Sequence, residues 1–224
     1  MRCLISILPR SDPAPTRDAT VGPDWVALVG TAVSIVLHVI LDADKPCFPF
    51  ILGCCLFWTG YIVIRARRDK HILREWGFRT DNLLSASIVP LLLFGAATVA
   101  LASYGATRGT LRFPPHAFFL LLLYPIWGLV QQFLALGIVA GNLEKVPALR
   151  ARRWLIALLT AAIFSLVHIN DARVMAATFG LQLVLVPIYF RDRNLIPLAV
   201  VHGWLGALFY LWVLDVDLWQ QTFG

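Results

Sequence analysis

A few side chains able to move a proton or hold a reacting group lie inside long apolar runs of this 224-residue chain. Gln131 and Gln132 sit side by side in one run, and Phe164-Ser165-Leu166-Val167-His168 closes the next. Gln182 lies in the run after that, His202 in the last, and His38 in the first. Imidazole gains and loses a proton near neutral pH, which makes His168 and His202 candidate general acids or bases. A glutamine amide donates and accepts hydrogen bonds but takes up no proton in that range. Gln131 and Gln132 are therefore suited to orienting water, binding a peptide carbonyl or bonding across helices. A catalytic zinc needs three protein ligands and a water, and only two histidines are offered at depth, so neither metal nor cofactor is expected. Cys54 and Cys55 lie in an apolar run, with Cys3 and Cys47 outside it, and no CxxC spacing occurs. They are read as buried or free thiols.

The elements that must position these groups are membrane helices. Hydrophobic residues make up 59% of the chain and charged residues only 14%, against roughly 45–50% and about 25% in a soluble domain. That balance excludes an ordinary water-facing enzyme, and the abundance of Leu, Ile, Val and Phe excludes disorder. Seven apolar runs are long enough to be candidate spans: 25–41, 48–64, 83–104, 117–140, 154–168, 174–190 and 195–214. They are unbroken rather than alternating, which predicts helices and not barrel strands. The fold class expected is all-α, a polytopic bundle of about seven spans. Residues 1–24 form a flexible cytoplasmic tail and residues 25–224 a single transmembrane domain.

The net charge of +6 is better explained by orientation in a bilayer than by nucleic acid. Fifteen of the 19 Lys and Arg residues fall in segments 1–24, 65–82, 141–153 and 191–194, on one side of the alternation. This asymmetry places the N-terminus in the cytoplasm. No Asp, Glu, Lys or Arg lies in the middle of a span, which argues against a proton-relay pump, a voltage sensor or a charged transport site. Glu144 and Asp171 are read as solvated loop acids. Counting residues along each helix, Gln131, His168 and His202 fall only loosely at one depth. Gln182 is read as an interhelical bond, and His38 as an interfacial or packing histidine.

The order of these groups resembles the CPBP intramembrane proteases, the CAAX-protease and bacteriocin-processing group also called Abi. Their pattern runs EExxxR, then FxxxH, then HxxxN, on successive membrane helices. Here FxxxH is intact as Phe164 and His168, and the third element starts at His202 but ends at Gly206. The first element reads Gln131-Gln132-Phe133-Leu134-Ala135-Leu136, with amides for both carboxylates and Leu136 for the arginine. The resemblance covers about residues 117–214. It implies an endopeptidase, at home in a bacterial inner membrane, that cuts a peptide or lipidated-protein substrate within the bilayer. It also implies site roles for Gln131, Gln132, His168 and His202, with Phe164 and Gly206 in support.

In that family a glutamate activates the attacking water, which Gln131 cannot do. Three readings stand. His168 or His202 serves as base; or the cluster binds a peptide or lipidated tail without cutting it, as a pseudoprotease or immunity-type partner would; or the glutamines are interhelical glue, worth about 0.6 kcal/mol per contact.

Overall fold

The computed structural model describes residues 23–41 and 48–223. Ten helices carry these residues, with no strand among them. They are α1 (Trp25–Leu41), α2 (Phe48–Arg68), α3 (His71–Trp76), α4 (Leu83–Arg108), α5 (Ala117–Leu143), α6 (Pro147–Arg150), α7 (Arg153–Leu166), α8 (Ala172–Asp192), α9 (Ile196–Trp212) and α10 (Leu218–Phe223). Each expected apolar run is helical. α2, α4, α5 and α8 are long and apolar enough to cross a bilayer, with 21, 26, 27 and 21 residues. α1, α7 and α9 are shorter, at 17, 14 and 17 residues.

The exterior of these helices is apolar. Leu84, Leu92, Leu122, Phe118 and Trp154 each expose more than 60% of their surface. A water-soluble protein rarely shows contiguous apolar area beyond a few hundred Å², whereas such a surface matches acyl chains. The polar residues point the other way: Gln132 and Gln182 are fully buried and His202 nearly so. This is an integral membrane protein, polar groups inward. Cys54 and Cys55 are free thiols, half-buried as expected, while Cys3 and Cys47 lie outside the described residues.

α9 is the centre of the bundle, packed between α5 and α4, while α7 and α8 pack on each other. Glycine allows α9 and α5 to approach to backbone contact. A Cβ on Gly128 would lie 2.7 Å from the Ala199 carbonyl oxygen, and one on Gly203 would lie 2.8 Å from the Cα and N of Pro125. Close helix approach at small residues is the usual source of packing energy in lipid, where no hydrophobic effect drives helices together. The Trp204 indole N–H crosses the same seam to the Leu121 carbonyl at 2.8 Å.

Within α5, residues Phe133–Ala140 form a π-helix. It begins directly after the two glutamines, and a stretch of this kind often marks a functional region. Phe133 is fully buried and stacks edge-on to Trp76 and Trp58, at 5.1 and 6.0 Å between ring centroids. Gly137 makes room for that ring, since a Cβ there would come 2.9 Å from Phe133 Cδ2.

The Arg-rich end of the bundle is tied by side chains that the helix count does not foretell. The Asn194 amide donates to Asn82 Oδ1 at 2.8 Å and to the Arg79 carbonyl at 3.0 Å, while Asn82 donates to the Asp192 carbonyl at 2.8 Å. Glu144 is paired with Arg193 and Arg153 and is mostly buried, so it is not the solvated acid expected. Asp171 does stay partly exposed, where it caps α8 and pairs with Arg173. Of the expected tail, residues 1–22 lie outside the described residues. Its last residue, Asp24, is anchored: it caps α1 at Ala27, accepts from the Tyr61 hydroxyl at 3.0 Å and pairs with Arg65.

Two measurements test this packing. Gly128→Ala forces backbone apart at the α5–α9 seam, and overpacking of this kind costs about 1–3 kcal/mol. A clear fall in the thermal midpoint in detergent is expected, with none for Gly180→Ala, where an added Cβ meets nothing. At the Arg-rich end, the Arg79 guanidinium hydrogen-bonded to Asp81 holds that carboxyl down at about 2. A depressed carboxylate adds stability above its unfolded value of about 4 and loses it as pH falls toward the folded value. The midpoint of the wild type should therefore drop more between those pH values than that of Asp81→Asn.

Candidate functional site

α5 and α9 carry the first two groups of the site. Gly128 of their glycine seam lies three residues before Gln131 and Gly203 directly follows His202, which fixes the two side chains across a short gap. His202 Nε2 lies 3.1 Å from Gln131 Oε1. The amide oxygen can only accept, so the imidazole donates from Nε2 and, in its neutral form, keeps Nδ1 as a bare acceptor. His202 Nδ1 is buried and has no hydrogen-bond partner. The residue itself is only 6% exposed.

The turn after α7 supplies the third group. His168 lies just beyond the end of that helix, with its amide bonded to the Ser165 carbonyl at 2.9 Å. Its Nε2 is likewise buried without a hydrogen-bond partner. Phe164, one turn earlier, is a wedge between the two histidines. Its ring stands edge-on to His168 at 5.7 Å and to His202 at 5.4 Å, with interplanar angles of 72° and 75°. The spacing of Phe164 and His168 thus has a physical meaning: one aromatic ring holds both imidazoles.

All three polar groups line one cavity of about 530 Å³. That size is typical of pockets that enclose a small ligand or a short peptide segment, roughly 300–1,000 Å³. The remaining wall is mainly apolar, from α4, α5, α8 and α9. Gly206 lies one turn beyond His202 on that wall, and a Cβ there would meet Tyr124 Cε1 at 3.1 Å. No side-chain donor enters the cavity from position 206. A smaller cavity of about 50 Å³ adjoins it, sharing Gln131, Trp127 and His38.

Gln132 is separated from this group. It is fully buried, lines neither cavity, and exchanges amide hydrogen bonds with Gln182 at 3.2 and 3.4 Å. The adjacent glutamines thus part company, Gln131 to the cavity and Gln132 to a closed amide pair. Of the two places expected for His38, interfacial or packing, the structure has the packing one: it is buried in α1, and its ring meets Phe50, Trp127 and His168 at 5.7, 6.3 and 6.2 Å. As an imidazole in the first apolar run, His38 carries the same sequence signal as His202 and differs from it only in depth. Among the described residues, no group of three or more His, Cys, Asp and Glu side chains is arranged to hold a metal ion.

Residues 113–208 match a family model described as Rce1-like, Type II CAAX prenyl endopeptidase. The matched stretch runs from just ahead of α5 through most of α9, and so contains Gln131, Gln132, Phe164, His168, His202 and Gly206. Over those residues the chain is similar to CAAX-protease-like membrane proteins. Helices α1 to α4 and α10 lie outside the match. Neither the curated proteins nor the solved structures include one that matches the chain.

The separation of the two glutamines is open to a direct check. In Gln182→Leu the Gln132 amide is left buried without its partner, a loss of about 1–3 kcal/mol. The double variant Gln132→Leu/Gln182→Leu should regain most of that stability, because an apolar pair of similar shape replaces a satisfied polar one. A thermal-unfolding cycle in which the double variant is as unstable as the sum of the singles would show that the two amides are not a unit.

Proposed function

We propose that this protein is an intramembrane endopeptidase in which a histidine takes the place of a carboxylate base. The observation that carries the reading is the bond from His202 to Gln131. It orients the ring and leaves the second ring nitrogen, Nδ1, buried without a partner, in a residue that lines the same cavity as His168.

In this scheme a peptide segment enters the cavity and a water lies between its scissile carbonyl and His202. Nδ1 takes a proton from the water while the oxygen attacks the carbonyl carbon. Gln131 keeps the ring in place and supports the imidazolium that forms. His168, as the neutral Nε2–H tautomer, donates a hydrogen bond to the developing oxyanion and keeps its proton. As the carbon–nitrogen bond breaks, His202 returns its proton to the leaving amine. A positioned base contributes about 10²–10⁴ in rate, and oxyanion donors in a site screened from water contribute a comparable factor. The substrate class is a membrane-embedded peptide or a lipidated protein segment. The proposed arrangement is seven spans with the Arg-rich end cytoplasmic, in keeping with the 15 of 19 basic residues on that side, in a bacterial inner membrane.

One observation favours a second reading. Gln131 occupies the place of the family's carboxylate and does not take up a proton near neutral pH. The fold would then bind its peptide without cutting it, as an immunity-type or other partner protein. Purified protein in proteoliposomes, offered quenched transmembrane and prenylated peptides, separates the two. Cleavage that falls by about 10²-fold or more in His202→Ala and in His168→Ala supports the enzyme. Binding without cleavage in the wild type, with cleavage gained in Gln131→Glu, supports the partner. If both histidines can be replaced with neither binding nor cleavage altered, this is not the site.

A further inference from the structure

The cavity extends from Gln131 back along α5 to Leu120, a length of about three helical turns. At that end it meets the last helix of the chain. Leu218 and Trp219 of α10 form part of the wall, beside Phe209 and Tyr210 of α9. α10 follows a chain reversal at Asp215, a non-glycine residue in the left-handed region at φ +58°. Its principal packing is on α5 and α9. A six-residue terminal helix is the kind of element that opens locally.

What holds it is specific. Asp217 Oδ2 lies 2.6 Å from His116 Nε2, at the start of α5, while Oδ1 accepts from the amides of Trp219 and Gln220 at 3.1 and 3.3 Å. One carboxylate thus caps α10 and ties it to α5. The Trp219 ring is stacked on Phe119 and on His116, at 5.5 and 6.4 Å between centroids and with interplanar angles of 28° and 24°. Burial alone would push the Asp217 carboxyl up, but the bonds from His116 and from the Gln220 and Trp219 amides outweigh it and hold the group below its usual range. A second pair, Arg112 with Asp215 at 2.9 Å, is half-exposed and flanks the reversal.

We propose that Trp219 is the gate residue of the cavity: α10, latched by His116 and Asp217, closes the end remote from Gln131 and so limits which chains enter there and how far they extend. α10 lies outside the stretch matched to the CAAX-protease family model. The proposal concerns access alone and is independent of whether the site cuts.

The test is thiol accessibility. With Cys3, Cys47, Cys54 and Cys55 replaced by Ser, a reporter is introduced as Leu205→Cys, on the cavity wall between His202 and Phe209. Labelling by a small methanethiosulfonate is timed in proteoliposomes. His116→Ala and Asp217→Asn should each speed labelling by about two- to fivefold, the range for loss of one partly exposed ion pair. The double variant should be no faster than the quicker single, and Trp219→Ala should be the fastest of all. Equal rates across these variants would overturn the proposal, as would a wild type that labels as fast as Trp219→Ala. A Thr178→Cys reporter repeats the series from the opposite wall should Leu205→Cys fold poorly. If Trp219→Ala itself does not yield monodisperse protein, hydrogen exchange decides. Amides of residues 218–223 must lose protection in His116→Ala while those of α9 keep theirs.

Discussion

Inside hydrocarbon there is no water to satisfy a polar side chain, so each one must find a partner in the protein or the helix that carries it is penalised. This constraint arranges the whole interior. Gln132 and Gln182 meet it with each other, in a reciprocal amide pair that closes on itself. Gln131 meets it with His202, in a pair that does not close, because the second ring nitrogen has nothing to bond. The difference between those two solutions separates a structural contact from a candidate site. Both are built from the same residue type, one position apart on one helix.

The open pair depends in turn on how closely α5 and α9 approach. Gly128 and Gly203 face the partner backbone at distances that no Cβ tolerates, and it is this contact that sets Gln131 across from His202. Widening the seam by one methyl group would separate the pair before it disturbed the apolar packing elsewhere. Phe164 then couples the second histidine to the first: one ring supports both imidazoles, so His168 and His202 keep their mutual position even though they come from different parts of the chain. The π-helix from Phe133 extends the same logic along α5. It sends Phe133 into the aromatic cluster with Trp58 and Trp76 while leaving Gln131 aimed at the cavity.

Much of this is legible in the sequence. Unbroken apolar runs mark seven helices close to their observed limits, because a membrane helix announces itself by length and composition rather than by subtle periodicity. The order Gln131, Phe164, His168, His202 points to one group of residues, and the geometry brings Gln131, His168 and His202 to one cavity with Phe164 packed against both histidines. What the sequence hides has a common cause. Depth along separate helices gives one coordinate of a side chain, whereas facing and tilt set the rest. Depth alone leaves His38 between interface and packing and groups Gln132 with Gln131, when rotation about the helix axis decides both. Glu144 is hidden for a related reason: its partner Arg193 is 49 residues away, in the turn between α8 and α9, and no local pattern links the two.

The division of labour along the chain follows from these contacts. The stretch similar to CAAX-type endopeptidases brings the histidines, the wedge and the glycine seam, which together set two imidazoles beside one cavity. The flanking helices finish the enclosure, with His38 from α1 against His168 at one end and Trp219 from α10 at the other. A cavity bounded in this way has its histidines toward one end and α10 at the other, with about three turns of apolar helix wall between them. A ligand that satisfies both ends has a polar, peptide-like group to place beside His202 and an apolar portion to lay along α5.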